Sequence, residues 1–334
     1  MASFILHSKS CLPRKSGKLL CVVLAVWIGS ALYSVYLNPE VRHYAYAETI
    51  KDAWARKMTQ EYGSKIVAVA GSSTEFSIDG QRMIEKYRLP MVNYGLAAGI
   101  GPSIIMGATL SHLRPGDTLV LGFESDLLTQ SLKDPSLGVQ FSLACHHPEW
   151  ALKPTLGVGG VNGFELLTRL RPGGYHTFTM LGKLARGGPM YRYKNSDIRP
   201  SGWAQTDVRK QLAASAAEEY RLSGDAILFL ERLRAWCQQH RVRVAYSLPW
   251  RWTSPALLRE VQARHAQFLL QIANCIPVLK DPKLGADPHP EDFADTDYHL
   301  VTRAAELRTD ALAQQIMTWD LWSVDELKSL AKPY

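Results

Sequence analysis

The chain predicts an α/β domain built on a doubly wound, mostly parallel sheet, with an N-terminal membrane-spanning helix in front of it. Three patterns lead to that expectation. Short apolar runs alternate with stretches of helix formers through most of residues 64–334. A segment rich in Gly and Pro, at about 130–205, interrupts the alternation. A basic tail, residues 1–18, precedes Leu19–Leu37, nineteen residues without a charge.

The tail holds Lys9, Arg14, Lys15 and Lys18 and no acid. As a helix, Leu19–Leu37 is ~28 Å long, close to the hydrocarbon thickness of a bilayer. Tyr33 and Tyr36 sit where an interfacial belt belongs, and Asn38-Pro39 ends the run. Basic flanks stay in the cytoplasm, so residues from about 38 onward are expected outside it, in a single-pass protein. Two other readings stand beside the anchor. One is a cleaved leader, with Ala45-Tyr46-Ala47 as its small-residue site, although that site lies far past the apolar run. The other is a buried helix of a soluble fold.

Residues 38–63 carry many helix formers and read as a juxtamembrane helix. The strand candidates are Ile66–Ala70, Met91–Asn93, Thr118–Phe123, Val242–Leu248 and Ile276–Lys280. They are apolar through most of their length, as strands covered on both faces are. Helical stretches fall at 82–87, 102–113, 206–240, 255–273 and 300–318. The interruption contains Gly157-Val-Gly-Gly160, Pro172-Gly-Gly174 and Gly187-Gly-Pro189, and reads as an insertion folded over one end of the sheet.

Composition narrows the function. The chain is 46% hydrophobic and 21% charged, a globular balance. Four of its net +7 charges lie in the tail, which leaves the domain a weak basis for binding nucleic acid. Cys145, Cys237 and Cys275 are an odd set outside the membrane, with no C-x-x-C and no spacing that selects a pair. Cys145-His146-His147 lacks a third metal ligand placed by spacing, and Gly157-Val-Gly-Gly160 lacks the pattern of a nucleotide loop. No metal or cofactor is assigned.

Two motifs carry chemistry. Ile66-Val-Ala-Val-Ala-Gly71-Ser72-Ser73 runs an apolar strand into a Gly-Ser-Ser turn, at the strand end where open α/β sheets bind ligands. Asp295-Thr-Asp297-Tyr-His299 precedes the last amphipathic stretch. A serine hydroxyl needs a base to become a nucleophile, and an imidazole needs a carboxylate to orient it. Each motif has a plainer reading: Ser72 and Ser73, or Asp295 and Asp297, cap the helices that follow. Asp295, Asp297 and His299 are also a candidate cation set.

With Asn93-Tyr-Gly95 after the second strand, these motifs resemble the SGNH/GDSL hydrolase superfamily in order and spacing. The nearer likeness is to its membrane-anchored branch, as in bacterial alginate O-acetylation proteins; the D-alanyl-transfer protein of teichoic acids is a more distant one. The resemblance covers residues 64–125 and 240–318. It implies an SGNH/flavodoxin-like three-layer fold, Ser73 as nucleophile, and His299 and Asp297 as its partners. It also implies an oxyanion hole bordered by Gly95 or Gly99 and the Ser73 amide. Four positions depart from the pattern. Ser72 and Thr296 stand where Asp is common, and Ala98 stands where Gly is common. Leu121-Gly-Phe-Glu124-Ser125 stands where an Asn is offered, which leaves Glu124 without a role.

The expected function is acyl transfer outside the cytoplasm: O-acetylation of a polysaccharide or cell-wall glycan through a Ser-His-Asp acyl-enzyme. The resemblance implies an acyl donor, a glycan acceptor and a membrane-embedded partner that brings the acyl group across the bilayer. An anchored esterase or deacetylase with the same triad, and a catalytically inert assembly protein, are the alternatives.

Overall fold

The structure is a computed structural model that describes residues 14–132, 136–170, 182–183, 185–186, 191–210, 212 and 220–331. Most of the basic tail, and parts of the Gly/Pro-rich segment and of 206–240, lie outside the described residues. Helix α1 (Arg14–Leu32) continues through a π-helical segment, Tyr33–Leu37. Ser16–Leu37 is the one stretch, among the described residues, long and apolar enough to cross a membrane. Asn38 leaves helical geometry at ψ 117°, and its side chain accepts from the Glu40 amide at 3.1 Å. With Pro39 at the first position, this cap starts α2 (Pro39–Tyr62).

α2 is part of the domain, not a stalk. Val41, Tyr44, Ala47, Lys51, Trp54, Ala55 and Met58 recur at helical spacing and are all buried. Trp54 Nε1 donates to the Met91 carbonyl at 2.9 Å, and Lys51 Nζ donates to the Asn93 and Gly202 carbonyls. These bonds fix α2 to the strand behind the site.

The sheet has four parallel strands: β1 (Ile66–Val69), β2 (Met91–Asn93), β3 (Thr118–Leu121) and β4 (Arg243–Tyr246), in the order β2-β1-β3-β4. Ile66 pairs with both Met91 and Thr118, and Thr118 with Arg243. Both faces are covered, which is why the strands are apolar through most of their length. Val67, Val69, Leu119, Leu121, Val244 and Tyr246 join the large core under α2. Ile66, Ala68, Val120 and Ala245 pack on the other side, with Met83 of the helix Gly80–Tyr87 and Leu312 and Ile316 of the last long helix (Thr302–Thr318). The strand order reverses at β1, so the crevice between the carboxyl ends of β1 and β3 is the switch point where such sheets take ligands.

The fifth strand candidate differs. Ile276–Lys280 touches β4 through a single parallel bridge, Tyr246 to Val278. Pro277 has no amide to extend a ladder, and the Lys280 amide turns away to the Asp320 carbonyl. Among the described residues of 206–240, regular helix covers Gly224–Gln239. Just before it, Gln271 clamps the chain, accepting from the Leu222 amide and donating to the Tyr220 carbonyl, each at 3.0 Å. Helices also occur within 130–205, at Ser136–Ala144, Glu149–Leu152 and Gly163–Arg169. A short parallel pair, Arg251–Trp252 with Ala286–Asp287, was not expected. It braces the site, because the Trp252 amide donates to the Asp297 carbonyl at 2.8 Å.

Candidate active site

β1 runs through Ala70 and Gly71 into α3 (Ser72–Glu75), so Ser72 stands at the first helical position above the sheet end. Ser72 Oγ lies 2.8 Å from His299 Nε2. His299 Nδ1 lies 2.8 Å from Asp295 Oδ1. An ionised Asp295 accepts from Nδ1–H, which leaves Nε2 unprotonated and facing the Ser72 hydroxyl. The three side chains form a serine–histidine–carboxylate relay across residues 227 positions apart in the chain.

The imidazole is held on every side. Phe76 lies under it, with ring centroids 4.2 Å apart. Its backbone amide donates to Thr296 Oγ1 at 3.1 Å, and its carbonyl accepts from the Ala294 amide at 2.7 Å. Asp295 is braced in turn. Tyr193 donates its hydroxyl to Asp295 Oδ2 at 2.8 Å, and Arg192 forms an ion pair with the same carboxylate. Burial pulls the Asp295 carboxyl up. The hydrogen bond and charge of His299, the Tyr193 hydroxyl and the Arg192 charge outweigh that and bring it down to about 2.

Two expected roles move by one or two residues. Ser73, the expected nucleophile, is fully buried; its hydroxyl points back to the Gly122 carbonyl at 3.4 Å and does not reach the imidazole. On the first turn of a helix, adjacent side chains project about 100° apart, so only one of the two serines faces the cleft. Asp297, the expected orienting acid, accepts from Arg251 Nε at 2.7 Å instead. Arg251 also donates to the Tyr220 hydroxyl at 2.7 Å. Asp297 therefore belongs to the wall of the cleft.

The oxyanion candidates also sort by geometry. The Gly95 amide donates to Asn93 Oδ1 at 2.9 Å, and a Cβ at Gly95 would lie 2.1 Å from the Glu75 nitrogen. Gly95 is there for close packing of α3 on the β2 end. Asn93 is wholly occupied, donating to the Thr74 and Ile78 carbonyls at 2.8 and 2.7 Å. The Ser73 amide donates to Glu124 Oε1 at 2.8 Å, so it too is engaged. Gly99 is exposed, beside Ala98 on the cleft rim. The Ser72 amide, at the first helical position, has no intramolecular partner among the described residues.

Glu124 acquires a role here. It follows β3, is buried, and accepts from the Gly71 amide at 3.1 Å and the Ser73 amide at 2.8 Å. Its carboxylate thus spans the residue between them, Ser72. A Cβ on Gly71 would lie 2.4 Å from Glu124 Oε2, so glycine is required for this approach. Burial pushes the Glu124 carboxyl up to about 7, against the pull of the Ser73 amide. Glu75 lies beneath, with neither carboxylate oxygen hydrogen bonded among the described residues; burial pushes it up and the nearby Lys51 charge pulls it down. Burial in turn lowers the Lys51 ammonium.

The relay opens into a cleft of about 760 Å³. Its walls carry Asp126, Thr129, Gln130, Arg192, Tyr193 and Arg251, a polar lining with charges of both signs. The carboxylate four residues before His299 was on view in the sequence, but Asp295 and Asp297 are equivalent until the turn between them is known. Tyr193 and Arg192 had no signal, since they enter from more than 100 residues away. No protein family, curated protein or solved structure matches the chain.

Proposed function

We propose that the chain is a membrane-anchored, extracytoplasmic acyl-transfer enzyme of SGNH type that O-acetylates a polysaccharide or cell-wall glycan. The observation that carries the chemistry is the 2.8 Å approach of Ser72 Oγ to His299 Nε2, with Asp295 at 2.8 Å on the far nitrogen. In the first half-reaction His299 takes the Ser72 proton as Oγ attacks the acyl carbonyl. The imidazolium then gives that proton to the departing group, and the acyl group stays on Ser72. In the second, a sugar hydroxyl loses its proton to His299, attacks the acyl-serine, and releases Ser72 protonated. Asp295 stabilises the imidazolium in both halves. The Ser72 amide, at the first helical position, is the donor available to the developing oxyanion. The polar cleft supports a hydroxyl-rich acceptor.

The test is incubation of the full-length protein with a reactive acetyl ester, followed by mass spectrometry of the peptide that contains Ser72. An acetyl group on Ser72 supports the reading, and an unmodified peptide with no ester turnover overturns it. Adding an acceptor glycan separates transfer from hydrolysis: acetylated glycan is the transferase product, and free acetate alone identifies an esterase.

A further inference from the structure

We propose that the helix Gly163–Arg169 lies in the head-group layer of the same bilayer that α1 crosses, a second membrane contact that fixes the height of the cleft. The inference rests on reading α1 as a membrane span. It starts from the place where that span leaves the membrane, Tyr33–Leu37. This segment packs against the helix Ser136–Ala144, and Val35 is buried there. Ser136–Ala144 therefore lies at the membrane-facing pole of the domain. Gly163–Arg169 packs on the same helix, with Gln140 Nε2 donating to the Arg169 carbonyl at 3.5 Å.

The inner and outer sides of this short helix differ. Leu166 packs against the core and Leu170, just past its end, is buried. Phe164 is 76% exposed and Leu167 54% exposed, three residues apart on the other side. A capping box, Asn162 with Glu165, holds the first turn, so these side chains are presented by a formed helix. An aromatic and a leucine on one side of a surface helix, next to the exit of a spanning helix, fit the head-group and acyl boundary. The bilayer is the occupant that lies within one helix of the patch.

The same helix that joins the two membrane contacts also carries the rim of the site. Leu137 lies against Gly99, and Gly138 is pressed on the Ile100 carbonyl, where a Cβ would come to 2.1 Å. Tyr33–Leu37, Gly163–Arg169 and the Ala98–Ile100 turn thus share one support. The docked exit of the span and this second contact together hold the mouth of the cleft near the lipid surface.

The experiment places a photo-cross-linking phenylalanine, one position at a time, at 24, 164, 167 and 228 in the full-length protein in bilayer nanodiscs. Leu24 lies in the span, and Leu228 is an exposed leucine of the helix Gly224–Gln239, which packs on β4. Lipid adducts at 24, 164 and 167 with none at 228 are expected. Adducts at 24 but not at 164 or 167 overturn this inference and leave the anchor standing. Cross-links from 164 only to residues 171–190 of the same chain, or to another protein, overturn it as well. No lipid adduct at any position overturns the anchor and the second contact together.

Discussion

The nucleophile is tested by replacing two adjacent serines separately. In Ser72→Ala the hydroxyl 2.8 Å from His299 is lost, and nothing else in the relay can attack. Removing the nucleophile of such a relay costs about 10⁶ in turnover, or about 8 kcal/mol of transition-state stabilisation. The fold should lose only about 1 kcal/mol, the net worth of one hydrogen bond at a half-buried position. Ser73→Ala is a different change. Its backbone amide, which holds Glu124, survives the substitution. What goes is a 3.4 Å contact with the Gly122 carbonyl and a hydroxyl contact with the Glu124 carboxylate. These are worth about 1–2 kcal/mol together. Even if all of that fell on the order of the loop, the rate would drop by about 5- to 30-fold. The assay is hydrolysis of a reactive acetyl ester by each full-length variant, with thermal unfolding measured alongside. An inactive Ser73→Ala beside an active Ser72→Ala, both folded, would refute the reasoning.

Four further outcomes can be measured, three set by the geometry of the site and one by the N-terminal charge pattern. Asp295→Asn should lower turnover by about 10⁴ by stabilising the wrong imidazole tautomer, whereas Asp297→Asn should act mainly on KM through the loosened Arg251; equal effects in steady-state kinetics would contradict the assignment. Glu124 should titrate with the fold: its carboxyl is raised from 4.5 to about 7, so between these pH values the folded form holds more protons than the unfolded one. Stability should therefore fall as pH rises through that window, and denaturant titrations of Glu124→Gln should show a flatter profile. Asp295 works the other way: its carboxyl is lowered from 3.8 to about 2, and its contribution, present above 3.8, is lost as pH falls through about 2. Finally, a reporter fused after Tyr334 should be active only as an exported enzyme, because the basic tail precedes the apolar run; activity of a strictly cytoplasmic reporter would reverse the topology.

The sequence determined the elements whose signal is local. β1 to β4 are legible because strands covered on both faces are apolar through most of their length, and the N-terminal helix because the uncharged run Leu19–Leu37 is long enough to cross a bilayer. His299 and the Gly-Ser-Ser turn were legible as chemistry for the same reason: each is a residue type at a place where the chain must turn. The choice within each motif was not. Ser72 and Ser73 have the same side chain, as do Asp295 and Asp297, and a difference of direction has no local signature. Glu124 turns the loop by binding the amides on either side of Ser72, and it arrives from β3. Tyr193 and Arg192 engage Asp295 from a segment more than 100 residues away. Which serine faces the imidazole and which carboxylate supports it are decided by these long-range contacts. Only the folded chain brings them together, because the energy that selects one of two equivalent neighbours comes from partners distant in sequence.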